Sequence, residues 1–374
     1  MTFELSRRRF AAGMLGGAGL AFVPFAPALA APADAPLPAG EDGKLMALFR
    51  EMAKREDALD PLGLVYRGGK ANVTAFRQIF TDAPLRARRG LVNWCLNSLR
   101  RIDRAKLSPE RQISYDVFLR DKRETQMWLQ PDMLALIVVR PFNHFGGIHM
   151  EFPSLFAVGG VLGYADEDNY RRNLELLRAF PQVLDNAIAR FRQGLDSGVV
   201  ETALTTRNMV GQIDSLLAQP LDESPFTAGL RDFPASVPPP RRDGLRQAYL
   251  TVLNREVLPA YRKLRAFLND EYLPAARQQV GIGAMKGGPG LYRRLIESQT
   301  TVRLEPEDVH QLGLAEVARI QRDMDGVRQK LGFAGPLRAF FDEIRTNPRY
   351  HPKTKEEFAK AFADAAKAVD AQVP

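Results

Sequence analysis

Four histidines and one cysteine are the only imidazole and thiol groups in a chain of 374 residues, so metal or nucleophilic chemistry has few places to stand. The histidines are His144, His149, His310 and His351. An H-E-x-x-H helix would set two imidazoles one turn apart with a glutamate beside them to activate a zinc-bound water. The sequence holds no such motif. In "RLEPEDVHQLGLAEVARI" Glu307 lies three residues before His310, the spacing found in helical di-metal sites. Such a site needs a second copy and further carboxylates from facing helices, and no second Glu-x-x-His occurs. His310 shares a helical face with Gly313, Leu314 and Val317, which predicts packing at a helix crossing where Gly313 permits close approach; a ligand or cleft role is the alternative. His144 and His149 are five apart and would point about 140° away from each other on a helix. Only a bend at Gly146-Gly147 would bring them together as a metal pair, and the plainer expectation is two loop histidines that form hydrogen bonds or line a cleft.

Other chemistries leave less trace. "VGIGAMKGGPG" has the glycine content of a phosphate loop but lacks G-x-x-x-x-G-K-[ST], and its G-x-G start follows a helix where a strand is required. It reads as a mobile loop, with Gly287, Gly288 and Gly290 as a flexible rim or lid over a cleft. No G-x-S-x-G elbow exists to present a serine nucleophile. Cys95 is the only cysteine and lies in "LVNWCLNSL", which predicts a small buried hydrophobe and excludes an internal disulfide or thiolate cluster. The acidic residues are spread too evenly along helices for one pair to stand out as acid and base.

With 45% hydrophobic residues the chain can bury a large core. The net charge of +8 is dispersed in isolated pairs such as Arg171-Arg172, Arg241-Arg242 and Arg293-Arg294 without aromatic interleaving. That argues against nucleic-acid binding and leaves a weak preference for acidic surfaces. The amino terminus, "SRRRFAAGMLGGAGLAFVPFAPALAA", puts Arg7 and Arg8 in an S-R-R-x-F pattern, follows them with a mildly apolar stretch, and ends in Ala28-Leu29-Ala30. This pattern looks like a twin-arginine export signal over 1–30, cleaved near Ala30, with a linker over 31–40. The apolar stretch is too short and too interrupted by glycine and proline for a membrane anchor, so a periplasmic protein is expected.

What must position these residues is helical. In 241–278, Leu245, Tyr249, Val252, Val257, Tyr261, Leu264, Phe267 and Tyr272 recur at steps of three to five, the apolar stripe of one long amphipathic helix. Pro259 and Pro274 should kink or split it, because each removes a backbone donor and crowds the preceding turn. Residues 305–331 repeat the pattern, with Pro306 suited to the first helical position and Glu307 and Asp308 to the positive end of the helix dipole. Further helices are expected at 41–59, 84–102, 109–130, 167–194, 202–218, 335–346 and 354–371. "MLALIVVRPF" is the one stretch that could be a strand, without an identifiable partner. "ASVPPPRRDG", 235–244, is the best interior loop or subdomain boundary. The expected fold is therefore all-α: an elongated multi-helix array with long kinked helices, its helical domain running over 41–374.

From "VLPAYRKLRAFLNDEYLPAAR" through "GGPGLYRRLIESQTTVRLEPEDVHQLGLAEVARIQRDMDGV" the chain resembles the bacterial domain-of-unknown-function family 885. The order of features carries the resemblance: a Pro-Ala-Tyr helix, a Glu-Tyr-Leu-Pro-x-x-Arg end, Pro-Gly-x-x-Tyr after a Gly-rich segment, a Thr-Thr pair and a Pro-Glu-x-x-His-x-Leu-Gly-x-x-Glu-Val helix. Upstream, "RPFNHFGGIHMEFPSLF" and "DEDNYRRNLELLRAFPQVLDNAIARFRQGLDSGVV" are similar to further family segments. The resemblance implies an exported, largely helical, zincin-like metallopeptidase acting on peptides. It implies zinc held by an H-E-x-x-P-G-H-H segment and a distant glutamate in a carboxyl-terminal half; this chain ends at "AVDAQVP" before any such segment, so that half is expected to be a missing partner and no metal ligand or catalytic residue is expected here. His310 then belongs to a family landmark and not to the metal motif.

Two functions of different kinds follow. The first is the amino-terminal scaffold of an exported zinc-dependent peptidase, supplying one wall of a substrate cleft with Asn143, His149, Tyr292 and His310 and a flexible rim at Gly287 to Gly290. The second is a non-catalytic periplasmic helical module that binds a peptide or partner in a groove. An apolar face left uncovered by the missing half predicts poor solubility or self-association.

Overall fold

The computed structural model describes residues 36–66, 69–157 and 159–373. The twin-arginine-like leader and most of the expected linker lie outside them. The fold is all-α, 73% helical, with no strand among the described residues; one isolated parallel bridge joins Thr202 and Arg277. The chain divides into two compact units, Met1–Ser298 and Gln299–Pro374. No described helix is long and apolar enough to cross a membrane.

The first unit opens with three helices, α1 (Gly40–Leu59), α2 (Asp82–Leu99) and α3 (Pro109–Trp128). Thr81 caps α2 by accepting from the Ala83 N–H, and Pro109 takes the first turn of α3, where its missing donor costs nothing. Leu45, Phe49, Leu91, Leu99 and Phe118 form their shared core, and Cys95 sits in it at 0% exposure, the small buried hydrophobe expected from its neighbours. Burial alone would lower the Lys122 ammonium, yet the nearby Glu56 and Asp121 carboxylates prevail and hold its pKa above the usual value.

The centre of the unit is α6 (Glu167–Ser197), 31 residues long. Asp166 caps its start by accepting from the Asn169 N–H, and Gly198 ends it in the left-handed conformation at φ 74°. Two short helices precede it, α4 (Pro131–Ile137) and α5 (Ile148–Phe156), and α7 (Ala203–Leu217) follows. The α6 stripe of Tyr170, Leu177, Phe180, Leu184, Ile188 and Phe191 is buried along its length, as a period near 3.6 requires. Against it lies α8, a continuous helical run over Pro239–Val252, Leu253–Val257, Leu258–Ala266, Phe267–Tyr272 and Leu273–Ala275.

The two prolines of α8 neither break nor split it. Each follows a π-helical turn, Leu253–Val257 before Pro259 and Phe267–Tyr272 before Pro274. In these turns the Leu258 N–H donates to Leu253 O and the Leu273 N–H to Leu268 O, five residues back. A widened turn gives the pyrrolidine ring room beside the preceding carbonyls, and the residues at the ends of both turns keep right-handed dihedrals. The tyrosines of α8 then reach outward: Tyr249 Oη donates to Tyr170 O and Tyr261 Oη to His149 O, both at 2.8 Å, while Tyr272 Oη accepts from the Glu201 N–H at 2.9 Å. All three rings are fully buried, where a phenol needs such a partner.

Other expectations change in detail. "MLALIVVRPF" is not a strand: it forms α4 and a following turn, because Pro131 starts a helix and Ile137, Val138 and Val139 come only at its end with no strand to pair with. The proline cluster lies inside the first unit, and Pro239-Pro240 begin α8, so only the residues before Pro238 form a loop there. The glycine segment is seated by contacts. Met285 is 2% exposed against Trp128, Val139, Val199 and Leu291, the Lys286 ammonium donates to Ser197 O, and Gly288 begins α9 (Gly288–Thr300). A Cβ at Gly288 would lie 1.8 Å from Ile282 O, and Gly287 takes φ +73° against Leu136. These two glycines serve close approach and a left-handed turn, which a freely moving rim would not require.

The second unit holds α10 (Pro306–Lys330), α11 (Leu337–Thr346) and α12 (Lys355–Asp370). Pro306 begins α10, and Thr354 caps α12 by accepting from the Glu357 N–H. Among its described residues the one buried large apolar side chain is Phe340, which meets Phe333 at 5.4 Å.

Candidate functional site

The structure organises one of the segments singled out by its histidines, the turn from Phe142 to Met150. The chain enters it past Arg140, whose guanidinium pairs with Glu201 at 2.9 Å. Asn143 closes the turn twice: its N–H donates to Gly146 O at 3.3 Å, and its Oδ1 accepts from the Phe145 N–H at 2.9 Å. This is the local competition by which a short polar side chain favours a turn over a helix. Gly147 is demanded by space, since a Cβ there would stand 2.6 Å from Phe142 Cβ and 2.9 Å from His149 Nδ1. α5 begins at the next residue.

His149 is 0% exposed. Its ring stacks on Phe142 with centroids 4.6 Å apart, and Phe142 meets Phe191 of α6 edge-on at 5.1 Å. The polar side of the ring is held by α7: His149 Nε2 lies 3.0 Å from Gln212 Oε1, and Gln212 Nε2 donates to His144 O at 2.9 Å. The second bond fixes the amide, because only its nitrogen can donate to a carbonyl. Gln212 therefore turns its oxygen to the ring, which places the imidazole proton on Nε2 and leaves Nδ1 an acceptor. That Nδ1 is buried without a partner, as is the Nδ1 of His144. Burial lowers the pKa of His149 to about 4 against the opposing effect of the Gln212 bond, so the ring is neutral near pH 7. Tyr261 completes the lock through its bond to His149 O.

The outer side of the turn is open. Phe145 is 77% exposed with its ring 4.0 Å from that of His144, and Met150, five residues on in α5, is 41% exposed. On α5, Glu151 is half-buried; burial raises its pKa, partly offset by the backbone N–H of Gly147. Asn143 and His149 thus belong to one rigid turn that shows apolar side chains outward and hides its imidazole inward. The remaining candidates lie elsewhere. Tyr292 is 40% exposed on α9. His310 belongs to the second unit and is exposed on α10, and nothing lies within 4 Å of a Cβ at Gly313, so the expected helix crossing there is not formed. Glu307 bonds Gln311 Nε2 at 2.6 Å. Among the described residues no group of three or more His, Cys, Asp or Glu could hold a metal ion. A zinc centre needs about three protein ligands and an open position, so the described residues do not fit one.

Sequence reasoning missed Gln212, Tyr261 and Glu151. Gln212 and Tyr261 stand 63 and 112 residues from His149, and no spacing rule reaches across such a distance.

Fold and site together define an all-α scaffold whose histidine turn is clamped between α6, α7 and α8. The chain belongs to the family described as bacterial protein of unknown function (DUF885), whose profile matches residues 61–374. No curated protein matches it. Among solved structures it is similar to "the putative lipoprotein from Colwellia psychrerythraea", with a TM-score of 0.73 and 15% identity over 89% of this chain. At that identity the likeness concerns the fold. The chain spans 59% of that protein's length.

Proposed function

We propose that this chain is the helical scaffold and substrate-cleft portion of an exported zinc-dependent peptidase. The observation that carries the reading is the turn at 142–150: a segment locked from within by His149, Gln212 and Tyr261 while Phe145 and Met150 stand exposed on its outer side. A wall that receives an extended peptide needs apolar contacts on a backbone that does not move, and loops held by a rigid scaffold supply them. Family membership and the partial coverage of a longer relative support a scaffold role within a larger protein. Export is supported by the S-R-R-x-F leader and by the description of the structural neighbour as a lipoprotein. Zinc, implied by the resemblance, would supply the hydrolytic chemistry from ligands that the described residues do not bring together, and no step of it is assigned to this chain.

The test is peptide binding by the full chain, read as fluorescence anisotropy over a set of labelled apolar peptides, together with its zinc content and peptide hydrolysis. Binding that weakens in Phe145→Ala at unchanged helix content, without turnover, is the expected result. Stoichiometric zinc with turnover by this chain refutes the scaffold role, and binding indifferent to Phe145 refutes the cleft assignment.

A further inference from the structure

Among the described residues other than glycine, two take left-handed backbone, Phe80 and Thr301. Phe80, at φ +67°, sits in an elbow between the short helix Val73–Phe76 and the start of α2. A side chain there costs free energy that glycine would not, and such strain persists only where the surroundings over-determine it. Here they do. From α6, Asn186 Nδ2 donates to the carbonyls of Arg77 and Ile79, both at 2.9 Å, and Arg190 Nε donates to Phe80 O at 2.6 Å. The same buried guanidinium bonds Gln193 at 2.9 Å and pairs with Asp82, the first residue of α2. Three carbonyls of the elbow are thus fastened to one face of α6.

What the strain secures is a ring. Phe80 is partly buried against the main core, and its ring lies 6.1 Å from that of Phe142 at an angle of 52°, within the range of a favourable aromatic pair. Phe142 in turn stacks on His149 at 4.6 Å and meets Phe191 edge-on at 5.1 Å. Of the three rings around Phe142, the one from Phe80 is supplied by a backbone held against its preference. Were the elbow needed only to lead the chain into α2, glycine would serve at lower cost and the ring would be dispensable.

We propose that Phe80 is a positioning residue of the histidine turn, bracing Phe142 against the His149 ring, with Asn186 and Arg190 holding the elbow in place. The consequence for peptide affinity rests on the cleft reading of that turn; the consequence for the His149 ring stands without it.

The experiment compares the full chain with Phe80→Ala and Phe80→Gly, each checked for retained helix by circular dichroism. Both variants lose the ring, but only glycine accepts φ +67° without strain, so Phe80→Gly should melt at the higher temperature of the two. The imidazole resonances of the chain, with His149 assigned by its loss in His149→Phe, report the stacked ring directly. In both variants alike the His149 resonance should shift, and its titration should move up from about 4 toward the ordinary range as Phe142 loosens and water reaches the ring. Affinity for the apolar peptides should fall roughly 3- to 10-fold in both, the worth of one aromatic pair. Because the variants share the lost ring and differ in stability, equal changes at His149 separate positioning from general loosening. An unchanged His149 resonance overturns the proposal, and so does a change that follows stability, larger in Phe80→Ala than in Phe80→Gly. Phe80→Ala melting at or above Phe80→Gly removes the strain from which the inference starts and overturns it as well. A wild-type chain that binds no peptide refutes the cleft reading alone, and the His149 resonance then decides for Phe80.

Discussion

Acid should loosen the first unit through His149, and the size of the effect follows from where the ring sits. An unfolded chain protonates this imidazole near pH 6.5; in the folded chain, burial holds its pKa at about 4. The sign is fixed by proton counting. Between these values the unfolded state binds the proton and the folded state does not, so stability falls as the pH is lowered from 6.5 towards 4 and changes no further below that from this group. At about 1.4 kcal/mol per unit the loss is about 3 kcal/mol, a large fraction of the net stability of an ordinary domain. The protonated ring would add a donor at Nδ1, which no partner faces. Urea unfolding monitored by far-UV circular dichroism at steps between pH 4 and 7 measures the slope in the wild type and in His149→Phe. The variant loses the Gln212 bond and is less stable at every pH, so the comparison is of slopes alone. Glu151 works in the opposite sense: burial raises its carboxyl, which therefore gains relative stability as the pH falls below its folded pKa, and it contributes equally to both proteins. Subtracting the two profiles isolates the histidine. Equal slopes between pH 4 and 6.5, or a ring resonance titrating near 6.5, would refute the buried neutral imidazole.

The same lock and its surroundings give three further expectations. Tyr261→Phe removes one hydroxyl and leaves His149 O buried without its donor, which should cost about 1–3 kcal/mol in urea unfolding, whereas an exposed phenol would cost almost nothing. Gly288→Ala should destabilise by about 2 kcal/mol or more, because its Cβ meets Ile282 O, while Gly290→Ala, which meets nothing, should be neutral or slightly stabilising; equal tolerance at both would restore the flexible-rim reading of this segment. Arg190 is 8% exposed and holds Phe80 O, Gln193 and Asp82, and Asp82 is 63% exposed, so Arg190→Met should lower the melting temperature clearly more than Asp82→Ala.

What could be read from the residues alone was the part that repeats. Apolar side chains at helical spacing located α1 to α3, α6, α7 and α10 to α12 within a few residues, because each such stripe needs only its own sequence to be recognised. Pro306, with Glu307 and Asp308 behind it, marked a helix start by local chemistry that operates within four residues. The errors arise where a local rule meets a distant partner. Pro259 and Pro274 have the local signature of helix breaks, yet the packing of Tyr249, Tyr261 and Tyr272 favours an unbroken α8, and two π turns satisfy both demands. Periodicity carries an ambiguity of another kind in α10: it identifies the apolar face without saying what covers it, so the same pattern that is buried in α6 is exposed here.

The histidine turn shows the limit most directly. Gly146 and Gly147 announce a bend, and that much was legible, but two histidines five apart left a metal pair, a hydrogen-bonded loop and a cleft all open when taken alone. Gln212, arriving from α7, decides among them by donating to the His144 carbonyl and turning its oxygen to His149. One amide thereby fixes a tautomer, closes a turn and determines which side chains face outward. Substitution of Gln212 by Glu would place a carboxylate against His149 Nε2 and a repelling oxygen against His144 O. The ring should then titrate higher while the turn loosens, so that pKa and peptide affinity move in opposite directions.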